Sequence, residues 1–312
     1  MNSFEDNLPL KHNKNPWVSL ITFVLLFIAA NVLGQLIGVV AAILVAQVPL
    51  AEAMTVFEPP YANDTKAVIY TAQGISHLLG FTGFALFFIK VVDDQRLTMY
   101  FNRKRFTAKQ ALVVAALTFC FMIFNSVVID WNMNIEFPDF MRGFENWARN
   151  MEDQLMELTK LLSTYDSFGE MLLALIVIGV LPAVGEELIF RGLLQNKLQV
   201  IAKNPHVAIW VTAIIFGAFH MQFYGVVPRI LLGALFGYIY YYSGNIWYAV
   251  IAHFVNNGLA VIAAYVGPRV SEDWDATEMD TAMPVYVSLV GLVACIYLFR
   301  FFYQYMQKQL NG

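Results

Sequence analysis

Residues 169–198 read GEMLLALIVIGVLPAVGEELIFRGLLQNKL. The run is almost wholly apolar to Val184 and then carries Glu186, Glu187 and Arg191. A membrane-crossing helix needs about 20 mostly apolar residues, so this segment is long enough to cross a bilayer with tilt or to project from it. Each carboxylate at a helix centre costs at least ~2.5–3.5 kcal/mol on insertion scales, so something must offset two adjacent ones. Glu187 and Arg191 stand four residues apart and can pair along one helix face. Glu186 is rotated by about 100° and points elsewhere. Pro182 and Gly185 precede the pair and can loosen the helix, exposing backbone groups to a cavity.

Seven further apolar stretches surround this one: Trp17–Val48, Ala67–Val92, Ala108–Ile129, Val207–His220, Val226–Tyr242, Ile246–Val266 and Pro284–Tyr305. The fold class that follows is all-α, a polytopic membrane helix bundle of about eight transmembrane helices. The stretch at Val207–His220 is the shortest and the weakest as a span. Composition agrees: 59% of the chain is hydrophobic and only 13% is charged, against about 25% charged in soluble domains. No basic excess exists to neutralise phosphates, so nucleic acid is not an expected partner. The organisation expected is a tail at 1–16, N-terminal spans at 17–136, an extramembrane helix at 137–167, core spans at 168–266, and an acidic loop with a final span at 267–312. The first apolar run is too long for the core of a signal peptide and reads as a retained span.

The net charge of −4 conceals an uneven distribution. With both termini placed inside, twelve Lys and Arg fall in inner segments, among them Lys11, Lys14, Arg103, Lys104, Arg105 and Lys197, and six in outer ones. The positive-inside rule therefore favours cytoplasmic termini. Glu186, Glu187 and Arg191 are the main charges left inside a span. In the hydrophilic insert, Phe140, Phe144, Trp147, Met151, Leu155, Leu158 and Leu162 recur every three to four residues, the pattern of an amphipathic helix. That helix either lies on or caps the bundle, or serves as a lid over a site. Cys120 and Cys295 lie in apolar runs and read as buried structural thiols.

The remaining intramembrane polar groups are histidines and an asparagine. Phe216-x-x-x-His220 ends one stretch, and His253-x-x-x-Asn257 puts two polar groups on one face of another. His77 has no such companion and reads as structural. Were Glu186, His220, His253 and Asn257 to converge, the glutamate could act as a general base toward a water attacking a peptide carbonyl. The histidines would orient that water, and Asn257 would donate to the developing oxyanion. A zinc ion held by His220, His253 and Glu186 with an open fourth position is the alternative chemistry. Neither HExxH nor GxSxG occurs.

Glu186-Glu187-x-x-x-Arg191, Phe216-x-x-x-His220 and His253-x-x-x-Asn257, in this order and each in an apolar span, resemble the CPBP intramembrane proteases. That family includes CAAX-processing enzymes and bacteriocin-processing or bacteriocin-immunity (Abi) proteins. The resemblance covers roughly Gly169–Val266. It implies an intramembrane endopeptidase with Glu186 activating water, Glu187 and Arg191 supporting it, His220 and His253 holding the water or a metal, and Asn257 stabilising the oxyanion. The implied cofactor is none or zinc, and the implied partners are the lipid bilayer and a peptide or membrane-protein substrate, prenylated in eukaryotic members. The expected location is a bacterial plasma membrane; no feature sets an oligomeric state. Two other functions fit part of the pattern: a non-catalytic scaffold or peptide-immunity protein, and a proton-coupled transporter using the same Glu, Arg and His groups. The complete set of Glu186, His220, His253 and Asn257 argues against the scaffold. The lack of visible repeats argues against the transporter.

Overall fold

The computed structural model describes residues 15–49, 52, 55–62, 65–101, 106–271 and 283–311. The tail cations Lys11 and Lys14, the cluster Arg103, Lys104 and Arg105, and residues 272–282 of the acidic loop lie outside the described residues. Among the described residues the principal elements are helices α1 (Pro16–Ala46), α2 (Lys66–Val92), α3 (Ala108–Met133), α4 (Arg142–Leu162), α5 (Phe168–Ala202), α6 (Pro205–Phe219), α7 (Val226–Ser243), α8 (Ile246–Val270) and α9 (Val285–Asn311). The all-α bundle stands as expected. Seven of its helices are long and apolar enough to cross a membrane, and α6 is the shorter apolar helix.

Local sequence sets the helix ends. Side chains of Asn15, Thr107, Ser167, Asn204 and Asn245 accept hydrogen bonds from backbone N–H groups in the first turns of α1, α3, α5, α6 and α8. Pro16 and Pro205 take the first helical position, where no donor is needed. Lys203 and Gly244 adopt left-handed backbone at φ 52° and 59° and end α5 and α7 before tight turns.

Packing inside the membrane relies on close backbone approach rather than on hydrophobic contrast. The Gly34-x-x-x-Gly38 pair of α1 faces Ala72, Ser76 and Gly80 of α2. A methyl group on Gly34 would lie 3.0 Å from the Ser76 carbonyl oxygen. One on Gly38 would overlap Ser76 Oγ and lie 2.5 Å from the Ala72 carbonyl. The lipid-side residues of α1, such as Leu25, Leu33 and Leu36, are exposed. Further in, Phe23, Phe81, Phe84, Phe88, Phe190, Phe216 and Phe236 form one aromatic core.

Helix α5 sits at the centre of the bundle, and every residue from Gly185 to Lys197 is buried. Its polar residues are thereby shielded from lipid and must find partners within the protein. Lys197, counted among inner-segment cations on sequence, is one of these buried groups. Its Nζ lies 2.7 Å from Asp93 Oδ2, 2.8 Å from Ser19 Oγ and 4.8 Å from the centre of the Phe88 ring. A second buried ion pair therefore ties α5 to α1 and to the end of α2, in addition to the Glu187–Arg191 pair.

The short helix α6 has a structural reason. At 15 residues it rises about 22 Å, less than a ~30 Å hydrocarbon layer. The α6–α7 turn is capped by α3 and the amphipathic α4. Asn132 bonds Phe223 O and Val227 N, at 3.3 and 2.9 Å. Gln222 Nε2 donates to Glu152 Oε1 at 3.1 Å, and Arg149 lies over the Tyr224 ring. The far end of α4 is latched to two spans. Tyr70 Oη donates to Leu162 O, Lys66 Nζ to Thr164 O, and Arg269 Nη2 to Tyr165 O. Burial pushes the Tyr165 hydroxyl up to about 12, so this turn carries a neutral phenol.

The α1–α2 contact yields a test. Gly38→Leu should destabilise the protein by about 1–3 kcal/mol through overpacking, whereas Gly143→Leu, at a position with open space, should not. Equal melting temperatures for the two variants in detergent would refute the close-approach account.

Candidate functional site

The site begins with a backbone defect that the sequence dictates. In an α-helix the N–H of residue 182 would bond the carbonyl of Ile178. Pro182 has no N–H, so that carbonyl cannot receive an α-type bond. Asn257 Nδ2 of α8 donates to it at 2.9 Å, and Asn257 Oδ1 accepts from Asn256 Nδ2 at 3.0 Å. Helix α5 also widens into π-type turns at Leu175–Val180 and Leu188–Gln195, on either side of the glutamates. Gly179 faces the Phe254 ring, where a methyl group would lie 3.3 Å away, and this lets α8 run close beside α5.

One turn from Asn257, His253 meets the glutamate pair. Its Nδ1 lies 2.8 Å from Glu187 Oε1. The same oxygen lies 3.0 Å from Arg191 Nη1, and both Glu187 and Arg191 are fully buried. Arg191 Nη2 donates to the Gly233 carbonyl of α7 at 2.8 Å, and its guanidinium lies 4.7 and 5.4 Å from the ring centres of Phe216 and Phe236. The pair predicted at i,i+4 is therefore present, and it is the hub of four helices: α5, α6, α7 and α8. A carboxylate accepts, so His253 donates to Glu187 through Nδ1–H, and in the neutral imidazole Nε2 is then an acceptor.

That acceptor faces Glu186. His253 Nε2 and Glu186 Oε2 are 4.0 Å apart, too far for a direct hydrogen bond and suited to one water between them. Glu186 is buried at 8% exposure, and Oε2 has no hydrogen-bond partner among the described residues. His220 Nδ1 donates to the Phe216 carbonyl at 2.9 Å, which leaves its Nε2 as an acceptor too. Glu186, His220, His253, Asn256 and Asn257 all line one cavity of about 1000 Å³. Helix α4 lines this cavity through Leu155, Leu158, Thr159 and Lys160, and the turn after it through Ser163 and Thr164.

Sequence reasoning set His77 aside, but the structure brings it in. His77 Nε2 of α2 lies 3.4 Å from Glu186 Oε1, and the ring lines the same cavity. Gly185 makes the approach feasible: a methyl group there would sit 2.8 Å from His77 Cε1. The absence of a side chain immediately before Glu186 was the available signal for a close neighbour.

Zinc holds nitrogen and oxygen ligands at about 2.0–2.2 Å, which places neighbouring ligand atoms about 3.4 Å apart. Among the described residues no three His, Cys, Asp or Glu side chains converge in this way.

Residues 168–259 match the family model described as type II CAAX prenyl endopeptidase, Rce1-like. All seven motif residues from Glu186 to Asn257 lie inside that segment, and the match is consistent with a CPBP intramembrane protease. Eighty-five residues align at 28% identity with "Uncharacterized protein YpbD" of Bacillus subtilis (strain 168). The alignment takes in 26% of this chain and 40% of the length of that relative. No solved structure matches the chain. At the level of the family, the matched segment supports an intramembrane endopeptidase.

The Pro182 account predicts a coupling. Asn257→Ala should cost about 1–3 kcal/mol, because a buried carbonyl loses its donor. In a Pro182→Ala background, which restores a backbone N–H at that position, the same change should cost less. A double-mutant cycle from unfolding in detergent measures the difference, and strictly additive values would refute the link.

Proposed function

We propose that the chain is an intramembrane endopeptidase that hydrolyses peptide bonds of membrane-associated proteins or peptides with a water activated by Glu186. The observation that carries this is the 4.0 Å gap between two buried atoms, Glu186 Oε2 and His253 Nε2, on the wall of a large cavity; with His253 neutral both are acceptors. A water in that gap donates one hydrogen to each acceptor, and its lone pairs then point away from both, toward a bound carbonyl. As its oxygen bonds to the carbonyl carbon, Glu186 Oε2 takes the proton and the carbonyl π electrons move to oxygen. The tetrahedral intermediate collapses with cleavage of the C–N bond. The protonated Glu186 returns its proton to the leaving amine, and the products are a carboxylic acid and an amine.

The other residues have supporting parts. Glu187 and Arg191 hold His253 in the tautomer that presents Nε2, the arrangement by which a carboxylate orients a catalytic imidazole. His220 Nε2 is an acceptor for an N–H of the leaving amine. Asn257 keeps one amide hydrogen on Ile178 and has a second for the oxyanion. No step is routed through a metal.

In this reading the protein sits in a bacterial plasma membrane with both termini cytoplasmic. Helix α4, three crossings from the N-terminus, then lies on the outer side. Two features weaken the alternatives. A scaffold has no need of paired acceptors aimed at one point. A proton carrier would use a relay leading away from Glu186, whereas Glu187 is neutralised in place by Arg191.

Purified protein in detergent should cleave a quenched fluorescent peptide ending in Cys-aliphatic-aliphatic-X, offered farnesylated and unmodified; the preferred form reports the substrate class. Glu186→Gln should lower that activity by about 10²–10⁴-fold without changing the melting temperature. Retained activity would remove Glu186 from the role of base. Elemental analysis of protein purified without chelator is the companion measurement. Near-stoichiometric zinc that is lost together with activity in His220→Ala would replace this mechanism by a metal-assisted one.

A further inference from the structure

We infer that His77 is a positioning residue that clamps Glu186 through Oε1 and thereby selects Oε2 as the basic oxygen. The inference rests on the reading of Glu186 as the base and adds to it a residue from outside the three motifs.

A glutamate carboxylate has two equivalent oxygens and a loosely restrained terminal torsion. A base that must meet one water at one place works best when only one oxygen can reach it. In this site the two oxygens have different surroundings. Oε1 lies 3.4 Å from His77 Nε2, and Oε2 faces His253 Nε2 at 4.0 Å. The carboxylate can only accept, so His77 is the tautomer with its hydrogen on Nε2. It is the reverse of His220 and His253, which both donate through Nδ1. Of the three imidazoles, two present acceptors toward the cavity and one presents a donor to the carboxylate. The 3.4 Å separation is long for a hydrogen bond, as catalytic contacts commonly are before substrate binds.

Three features of α2 and α5 hold His77 to this task. The ring stacks on Phe81, one turn on, with centroids 4.2 Å apart and planes within 5°. Helix α2 turns to π-type geometry from Leu78 to Gly83, immediately after His77, which shifts the register that follows. Gly185 supplies the space, since any side chain there would strike His77 Cε1 or Phe81 Cβ. The Nδ1 atom is buried with no hydrogen-bond partner among the described residues, so Glu186 and the Phe81 stack are what orient the ring.

His77→Phe tests the clamp, because phenylalanine can keep the stack on Phe81 while removing the donor. His77→Gln is the rescue variant, since its amide restores an N–H at similar reach. His77→Ala removes the donor without adding bulk and serves if the Phe variant melts early. With the same quenched CAAX peptide, kcat should fall about 10–100-fold in the Phe and Ala variants with KM unchanged, and the Gln variant should recover most of it.

A second readout needs no substrate. The infrared difference spectrum between wild type and Glu186→Gln isolates the Glu186 carboxylate band. That band should move in His77→Phe and return toward its position in His77→Gln. A band unmoved in His77→Phe, full kcat in the Phe or Ala variant, or a Gln variant as impaired as Phe would each overturn the inference. Activity lost in Glu186→Gln but intact in His77→Phe would remove the clamp alone. Activity intact in Glu186→Gln would remove the base on which it rests.

Discussion

The Glu187 carboxylate, fully buried at the centre of an apolar bundle, is the constraint around which the rest is arranged. An unpaired charge there would cost several kcal/mol, so its partners are obligatory. Arg191 neutralises it from one turn along the same helix, and His253 reaches it from α8. Arg191 in turn needs acceptors and faces for its remaining guanidinium surface. It finds the Gly233 carbonyl of α7 and the rings of Phe216 and Phe236. Pairing one buried carboxylate through its Oε1 thus fixes the relative placement of four helices. The same arrangement leaves the neighbouring Glu186 on the wall of a cavity, with its Oε2 without a hydrogen-bond partner among the described residues. One residue step along a helix rotates the side chain by about 100°, so Glu187 faces its partners while the adjacent Glu186 faces the cavity.

Much of this was legible in the chain itself. The apolar runs located every long helix to within a few residues, because only helices satisfy backbone groups across so much hydrophobic length. The i,i+4 spacing of Glu187 and Arg191 predicted their pairing, and the order of the three motifs predicted which spans carry the polar groups. What escaped had identifiable physical causes. Gly34 and Gly38 look unremarkable in a run of apolar residues, and their meaning appears only when α2 lies against them. Lys197, at the end of a span, is counted as a loop cation until Asp93 and Ser19 are found beside it. His77 has no sequence neighbour of matching chemistry, since its partner lies more than a hundred residues away on a different helix.

The short α6 shows how a weak local signal can be an accurate one. A stretch too brief to cross the bilayer does not need to be a misread span. Its end is covered by protein, with α4 and the end of α3 supplying the polar contacts that headgroups and water would otherwise provide. Helix α4 therefore makes two sets of contacts that its amphipathic pattern could not separate: it meets the tip of the α6–α7 hairpin and it lines the cavity.

The bond from Asn257 to Ile178 carries a consequence for how relatives of this chain can drift. The side chain of residue 178 is irrelevant to a bond made by its carbonyl, so that position is free to change among apolar types. The need for Asn257 comes instead from Pro182, which withholds the N–H. Lineages that replace the proline with an ordinary residue lose that reason to keep the asparagine, and only a role in the chemistry would preserve it. Position 182 and position 257 would then vary together, though they are joined only through the main chain of a third residue. An asparagine kept where the proline has gone would mark it as part of the reaction rather than of the scaffold.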